Sequence, residues 1–209
     1  PHFALLSILK SNFDNIYYIG SIGGMEEKLV KDKNIPFYAI PCVKLIRNNL
    51  LKNFNLPFKF ISSINKATEI LQKLKPDVVF SKGGFVGLPV TISASKLNIP
   101  VVIHESDLTL GLANKIASRF SKHTLTSFDV TASKVKNGIY VGSPIRAELF
   151  SVSKADAYKY FNFLNNQPTL LITGGSQGAK AINNVVNLAL PKLLNSYNVI
   201  HLVGKGNLT

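Results

Sequence analysis

Cysteine is almost absent from this chain: Cys42 stands alone among 209 residues. An internal disulfide framework and a cysteine-rich zinc site are therefore excluded, which suits a reducing compartment, and Cys42 itself reads as a small buried hydrophobe. Acids are scarce as well, 11 Asp and Glu against 24 Lys and Arg, for a net charge of +13. Such a balance favours polyanionic partners: nucleic acid, anionic lipid or phosphorylated ligands. No Asp-x-Asp pair occurs, and His2, His104, His123 and His201 lack ligand spacing, so neither a metal nor a cofactor is expected. No apolar run reaches the roughly 20 residues that cross a bilayer, and the first residues carry no signal-peptide pattern. A soluble or peripheral protein is the expectation. What is present is 46% hydrophobic residues, enough for one large or two ordinary globular domains.

The most informative stretch runs from Pro168 to Asn184. Leu170 to Thr173 suit a short buried parallel strand, whereas Ala179, Ile182, Val186 and Ala189 or Leu190 recur at helical spacing. Between them, Gly174, Gly175 and Gly178 allow close backbone approach to a ligand, and a new helix aims its free amides and positive dipole end at it. A nucleotide diphosphate fits such a cradle; a plain strand-to-helix turn is the simpler alternative. The spacing is neither that of a P-loop nor the Gly-x-Gly-x-x-Gly dinucleotide fingerprint, so a dehydrogenase is a poor reading.

Strands are expected at Ile16–Ile19, Phe37–Ile40, Val78–Ser81, Val101–Ile103, Thr124–Ser127, Ile139–Val141, Leu170–Thr173 and Val199–Val203. Helical patterns cover Pro1–Lys10, Gly24–Lys31, Phe58–Leu74, Leu88–Leu97, Leu112–Phe120, Ala155–Tyr160 and Gly178–Leu194. This alternation predicts an α/β protein with parallel sheets whose ligands lie beyond the carboxyl ends of the strands. A first domain over 1–143, a hinge over 144–167 and the start of a second domain over 168–209 are expected. Both ends read as cut, so the second domain is expected to be incomplete.

Between Lys44 and Lys75 seven basic residues meet one acid, Glu69. Lys44, Arg47 and Lys52 are interleaved with Leu45, Ile46, Leu50, Leu51 and Phe54, and further on Lys59 lies beside Phe58, Phe60 and Ile61. A mixed cationic and apolar stripe suits an anionic membrane surface, while an amphipathic helix with a solvated basic face is the plainer account. A nucleic-acid surface fits less well, since the interleaved residues are largely aliphatic and no nucleic-acid motif occurs, so no nucleic-acid partner is expected.

Two further loops follow strands: Lys82-Gly-Gly-Phe-Val-Gly-Leu-Pro89, and His104-Glu-Ser-Asp-Leu-Thr-Leu-Gly-Leu-Ala-Asn114. Together with Val141-Gly-Ser-Pro-Ile-Arg146, Gly174-Gly-Ser-Gln-Gly-Ala179 with Asn183, and Gly204-Lys-Gly206, they keep the order and spacing of one family over nearly the whole chain. The sequence resembles the bacterial UDP-N-acetylglucosamine transferases that complete lipid II. The resemblance implies a GT-B fold of two Rossmann-like domains, with the undecaprenyl-linked acceptor on the first and UDP-GlcNAc mainly on the second. It also implies a peripheral enzyme on the cytoplasmic face of the bacterial membrane, whose membrane patch coincides with Lys44 to Phe54. An opening glycine loop and the segments gripping uracil and ribose are expected outside residues 1–209, and this chain alone is not expected to transfer GlcNAc. A membrane-bound acceptor module of a split enzyme, or a transferase acting on another glycolipid, are the alternatives.

The reaction implied is displacement at the anomeric carbon of GlcNAc by the 4-hydroxyl of MurNAc, with inversion and loss of UDP. It needs a proton acceptor and positive partners for the departing diphosphate. Glu105 is the candidate base or acceptor-orienting group, with helix capping or loop bracing as the simpler role. His104 should face the other way along the pleat and serve structure. Arg146, with a forked guanidinium, is the candidate cation for the donor diphosphate; Gly175, Ser176 and Gln177 would add amides and a hydroxyl. Asp107 and Asn183 are further donor-side candidates, Asp107 standing where many relatives carry asparagine and Asn183 reading more readily as a satisfied polar helix residue. Gly83, Gly84 and Phe85 are the acceptor-side candidates; Phe85 replaces the family's frequent tyrosine and lacks its hydroxyl.

Overall fold

The computed structural model describes residues 2–24, 26–42, 56–163, 166–175 and 177–208. The chain divides into two compact units, Pro1–Arg146 and Ala147–Thr209.

In the first unit, α1 (His2–Asn12), β1 (Tyr18–Ser21), α2 (Glu26–Lys31) and β2 (Phe37–Ile40) are followed by α3 (Leu56–Leu74), β3 (Val79–Ser81) and α4 (Gly84–Lys96). The unit continues with β4 (Val101–Glu105), α5 (Leu112–Ala117), β5 (His123–Thr126), α6 (Asp129–Ala132) and β6 (Gly138–Tyr140). All pairings are parallel, in a two-stranded sheet β1-β2 and a four-stranded sheet β3-β4-β5-β6. Parallel strands need covering helices, and the core lies where α3 and α4 pack on the strands: Ile40, Ala67, Ile70, Leu71, Val90, Ala94, Val101, Ile103 and Ala117 are buried together. On α3 this follows from spacing, since Ser63, Ala67, Ile70 and Leu71 share one helical face.

β1 and β3 each pair on one side only among the described strands. Both border a cavity of about 460 Å³, whose walls include Leu6, Leu9, Ile19, Leu71, Phe80 and Val90. The apolar side of α1 is turned to this cavity and none of its residues is fully buried.

The second unit contains a 3-10 turn at Ala147–Phe150, α7 (Lys154–Phe161), β7 (Thr169–Thr173), α8 (Lys180–Leu193) and β8 (Asn198–Leu202). β7 and β8 pair in parallel, Thr169 opposite Asn198 through Thr173 opposite Leu202. Helix α7 begins where the Ser153 hydroxyl accepts the Asp156 N–H and ends at left-handed Asn162.

Every expected strand is present within two residues at either end. Helix α4 starts at Gly84, four residues before the expected Leu88, because the Gly83-Gly84 turn leads directly into it. Its buried Pro89 then lies inside the helix, forgoing one backbone bond to Phe85. Helix α6 and the 3-10 turn went unforeseen: each is four residues long, too short to display a helical period. The expected membrane patch, Lys44, Leu45, Ile46, Arg47, Leu50, Leu51, Lys52 and Phe54, lies outside the described residues.

Candidate active site

In the first unit β3 and β4 end side by side, so the loops that leave them emerge on one edge of the sheet. Gly83 and Gly84 both take positive φ, +82° and +80°, a conformation open to glycine and costly for other residues. No side chain caps α4 at Gly83, which leaves its first amides without a side-chain partner. A side chain on Gly83 would overlap the amide of Asn114, whereas beside Gly84 there is open space. Phe85 is half exposed.

Glu105 ends β4 and is 6% exposed. One carboxylate oxygen accepts the Asp107 N–H at 3.0 Å; the other accepts the Gly111 N–H at 3.1 Å and Asn114 Nδ2 at 2.9 Å. The loop is thus folded around the carboxylate, and its far side is fastened by the Thr131 hydroxyl to the Leu108 carbonyl. Burial by itself would raise the Glu105 pKa, but the Asp107 N–H, Asn114, and the N–H groups of Gly111 and Ser106 together hold it below the ordinary value. Asp107 is exposed, and its backbone rather than its carboxylate serves the loop.

His104 is 2% exposed. Its Nε2 lies 2.9 Å from the Gly142 carbonyl and so carries the proton, leaving Nδ1 to accept from Lys82 Nζ at 2.6 Å. Burial is the largest cause that depresses its pKa; the Lys82 ammonium adds to it, against the Gly142 carbonyl and Glu105. Arg146 ends the unit with an exposed side chain.

These shifts predict acid sensitivity. Both groups bind protons less readily when folded, so their stabilisation is complete above the unfolded pKa and is lost as pH falls toward the folded one. Starting from ordinary values of 6.5 for His104 and 4.5 for Glu105, with His2 and Glu26 of the same unit shifted the same way, the urea midpoint of the first unit should hold above pH 7, decline below 6.5 and decline further below 4.5. A midpoint unchanged from pH 7 to pH 4 would contradict both assignments.

In the second unit the glycine turn follows β7 as expected. Gly175 has φ +83° with open space around it, and its N–H is donated to Thr173 Oγ1. Helix α8 has no side-chain cap at Ala179, so its first amides point into the turn without a side-chain partner. Ser176 lies outside the described residues, and Gln177 is exposed. Asn183 is buried: its Nδ2 donates to the Val203 carbonyl at 2.9 Å and its Oδ1 accepts from His201 Nε2 at 3.1 Å. It ties α8 to β8. Gly178 and Gly204 sit back to back, for a side chain on Gly178 would strike the Val203 carbonyl and one on Gly204 the Gly178 nitrogen.

Glu105, Gly83 and Gly84 are therefore brought together in the first unit, with Asn114 between them. Sequence reasoning missed the parts played by Asn114 and Lys82. The signal for Asn114 was its place on the inner side of a short helix, nine residues after a strand-end carboxylate; Lys82 gave none, as a lysine at a strand end is ordinarily solvated.

Parallel sheets flanked by helices, with glycine turns at the carboxyl ends of β3 and β7, define an α/β protein of the GT-B class, built of two Rossmann-like domains. The chain belongs to glycosyltransferase family 28: the profile of the family 28 N-terminal domain matches residues 1–126 and that of the C-terminal domain residues 169–209. It is 48% identical, over all of its own length and 59% of the relative's, to the UDP-N-acetylglucosamine--N-acetylmuramyl-(pentapeptide) pyrophosphoryl-undecaprenol N-acetylglucosamine transferase of Clostridium perfringens. To transferase 2 of the same description from Bacillus anthracis it is 43% identical, over 60% of that protein. The chain thus spans about three fifths of the length of the curated relatives it matches. The crystal structure of Acinetobacter baumannii MurG aligns with a TM-score of 0.69 and 29% identity, covering 99% of this chain and 55% of that one. The UDP-GlcNAc 2-epimerase of Methanocaldococcus jannaschii, at 14% identity and TM-score 0.60, shares the fold alone.

Proposed function

We propose that this chain carries the acceptor side and the beginning of the donor side of an inverting glycosyltransferase. The enzyme moves GlcNAc from UDP-GlcNAc to the 4-hydroxyl of MurNAc in undecaprenyl-pyrophosphoryl-MurNAc-pentapeptide, the step from lipid I to lipid II in peptidoglycan synthesis. The observation that carries this reading is the 48% identity along the entire chain to a relative so described. The site residues are consistent with it: two uncapped helix starts behind glycine turns, each able to meet phosphate oxygens with backbone amides.

In this reaction the acceptor oxygen forms a bond to the anomeric carbon as the bond to the UDP oxygen breaks, and the hydroxyl proton passes to a base. For the negative charge that develops on UDP, the proposed partners are Arg146 in the first unit and, in the second, Ser176 and the Gln177 amide, with Gly175 leaving open space for the phosphates to approach. Gly83, Gly84 and Phe85 receive the acceptor, and Asp107 faces the donor sugar. Three hydrogen bonds on the Glu105 carboxylate and its lowered pKa support a role in ordering the acceptor loop over proton abstraction, since a general base works best with a pKa near the working pH. The partnered amide of Asn183 likewise supports shaping the donor turn from behind.

A peripheral place on the cytoplasmic membrane face fits the net charge of +13 and the exposed Phe58 and Ile61 in the first turns of α3. No described helix is long and apolar enough to cross a membrane.

The test is a chimera in which this chain replaces its matching segment in the C. perfringens relative. It should form lipid II from UDP-GlcNAc and a lipid I analogue, and Arg146→Ala should lower kcat/KM by about 100-fold, as loss of a charge-assisted phosphate contact does. A folded chimera with no transfer would end the proposal.

A further inference from the structure

Lys82 is a cation at this site whose charge the reaction above does not use. Its Nζ reaches His104 Nδ1 at 2.6 Å and Ser106 Oγ at 2.5 Å. Both partners are neutral, and the ion pairs among the described residues, Lys31–Glu27 and Lys66–Glu69, lie elsewhere. His104 cannot take over the charge, because its Nε2 proton is committed to Gly142 and its ring is buried. A half-buried ammonium without a paired carboxylate is costly, and burial is the main cause that lowers the Lys82 pKa, opposed by the more distant Glu105 and Asp107.

The surroundings show what would offset that cost. Lys82 adjoins Gly83 and Gly84, which bring bare backbone to open space beside Gly84 and lead into the uncapped start of α4. Buried Asn114 packs its amide against Gly83, where no side chain would fit, and so fixes the turn from behind while Lys82 stands at its open side. Ammonium and amides donate to phosphate oxygens, and a diphosphate at this turn satisfies both at once.

We propose that Lys82 binds the diphosphate of the lipid-linked acceptor, with neutral His104 and Ser106 holding its ammonium at the Gly83-Gly84 turn. This rests on the acceptor-side reading of that turn.

Inorganic pyrophosphate titrated into the 209-residue chain by calorimetry is the direct probe. Lys82→Met should weaken binding about tenfold or more, the loss of one charge-assisted contact. Lys82→Arg should stay within about threefold, and Lys136→Met, an exposed lysine elsewhere, within about twofold. In the chimera, Lys82→Met should raise KM for the acceptor about tenfold and leave KM for UDP-GlcNAc unchanged, in a protein that stays folded. Equal binding by wild type and Lys82→Met, an equal loss in Lys136→Met, or no binding by wild type overturns the proposal. So does a rise in KM for UDP-GlcNAc instead of the acceptor, which would assign Lys82 to the donor. A chimera inactive with either residue while pyrophosphate binding still depends on Lys82 would instead count against the lipid II reaction.

Discussion

Gly178→Ala is expected to unfold the second unit. At φ +74° an alanine there carries about 1–2 kcal/mol of left-handed strain. Its Cβ would also sit 1.9 Å from the Val203 carbonyl oxygen, a backbone atom that cannot rotate away. Val203 is held in turn, because its carbonyl accepts from Asn183 and Asn207 and the neighbouring Gly204 lies against Gly178. Relieving the overlap means parting α8 from the end of β8, where buried Val186 and Asn183 provide much of the packing. A total above about 3 kcal/mol is expected, more than so small a unit can spare. Gly175→Ala is the control: φ is +83° but nothing lies within 4 Å, so only the strain applies. Amide NMR signals of β7 and β8 should collapse in Gly178→Ala, persist in Gly175→Ala, and stay native for the first unit in both. Equal stability of the two variants would show that the glycines do not interlock.

Glu105→Ala should cost about 2–4 kcal/mol of first-unit stability, the range for removing the acceptor of several buried donors. The Asp107 and Gly111 N–H groups and Asn114 Nδ2 all converge on this carboxylate. Glu105→Gln keeps the volume but turns one acceptor toward donors as a donor itself; a loss of about 1–3 kcal/mol is expected, together with a smaller stability change below pH 4.5, where Glu26 keeps its own share. Urea unfolding of the three proteins at pH 7 and pH 4 measures this. The same pair separates the two chemical roles in the chimera. A loop-ordering Glu105 predicts activity that falls in step with stability, whereas a base predicts at least about 1,000-fold lower kcat in a Glu105→Gln protein that melts normally.

The chain's alternation of short apolar runs and helical patterns was enough to place β1 to β8 and to make the sheets parallel, because strand and helix periods are local properties. The glycine turns after β3 and β7 were legible for a similar reason, as glycine spacing at a strand end limits what the backbone can do. The start of α4 was not: the helical pattern becomes visible only from Leu88, whereas the Gly83-Gly84 turn leads straight into the helix at Gly84 and Pro89 is accommodated inside it. At the site, Glu105 was found from its place at a strand end, but its three donors lie two, six and nine residues onward and meet it only because the loop closes on itself.

Fold class, family and the positions of the glycine turns were thus determined by sequence alone, through patterns that repeat within a few residues. The partners of each titratable group were decided only by tertiary structure. Lys82 and His104 are neighbours because β3 lies beside β4, and His104 meets Gly142 because the chain returns past β6. Hydrogen bonding and desolvation, which set charge and proton affinity, depend on what lies nearby in space rather than along the chain.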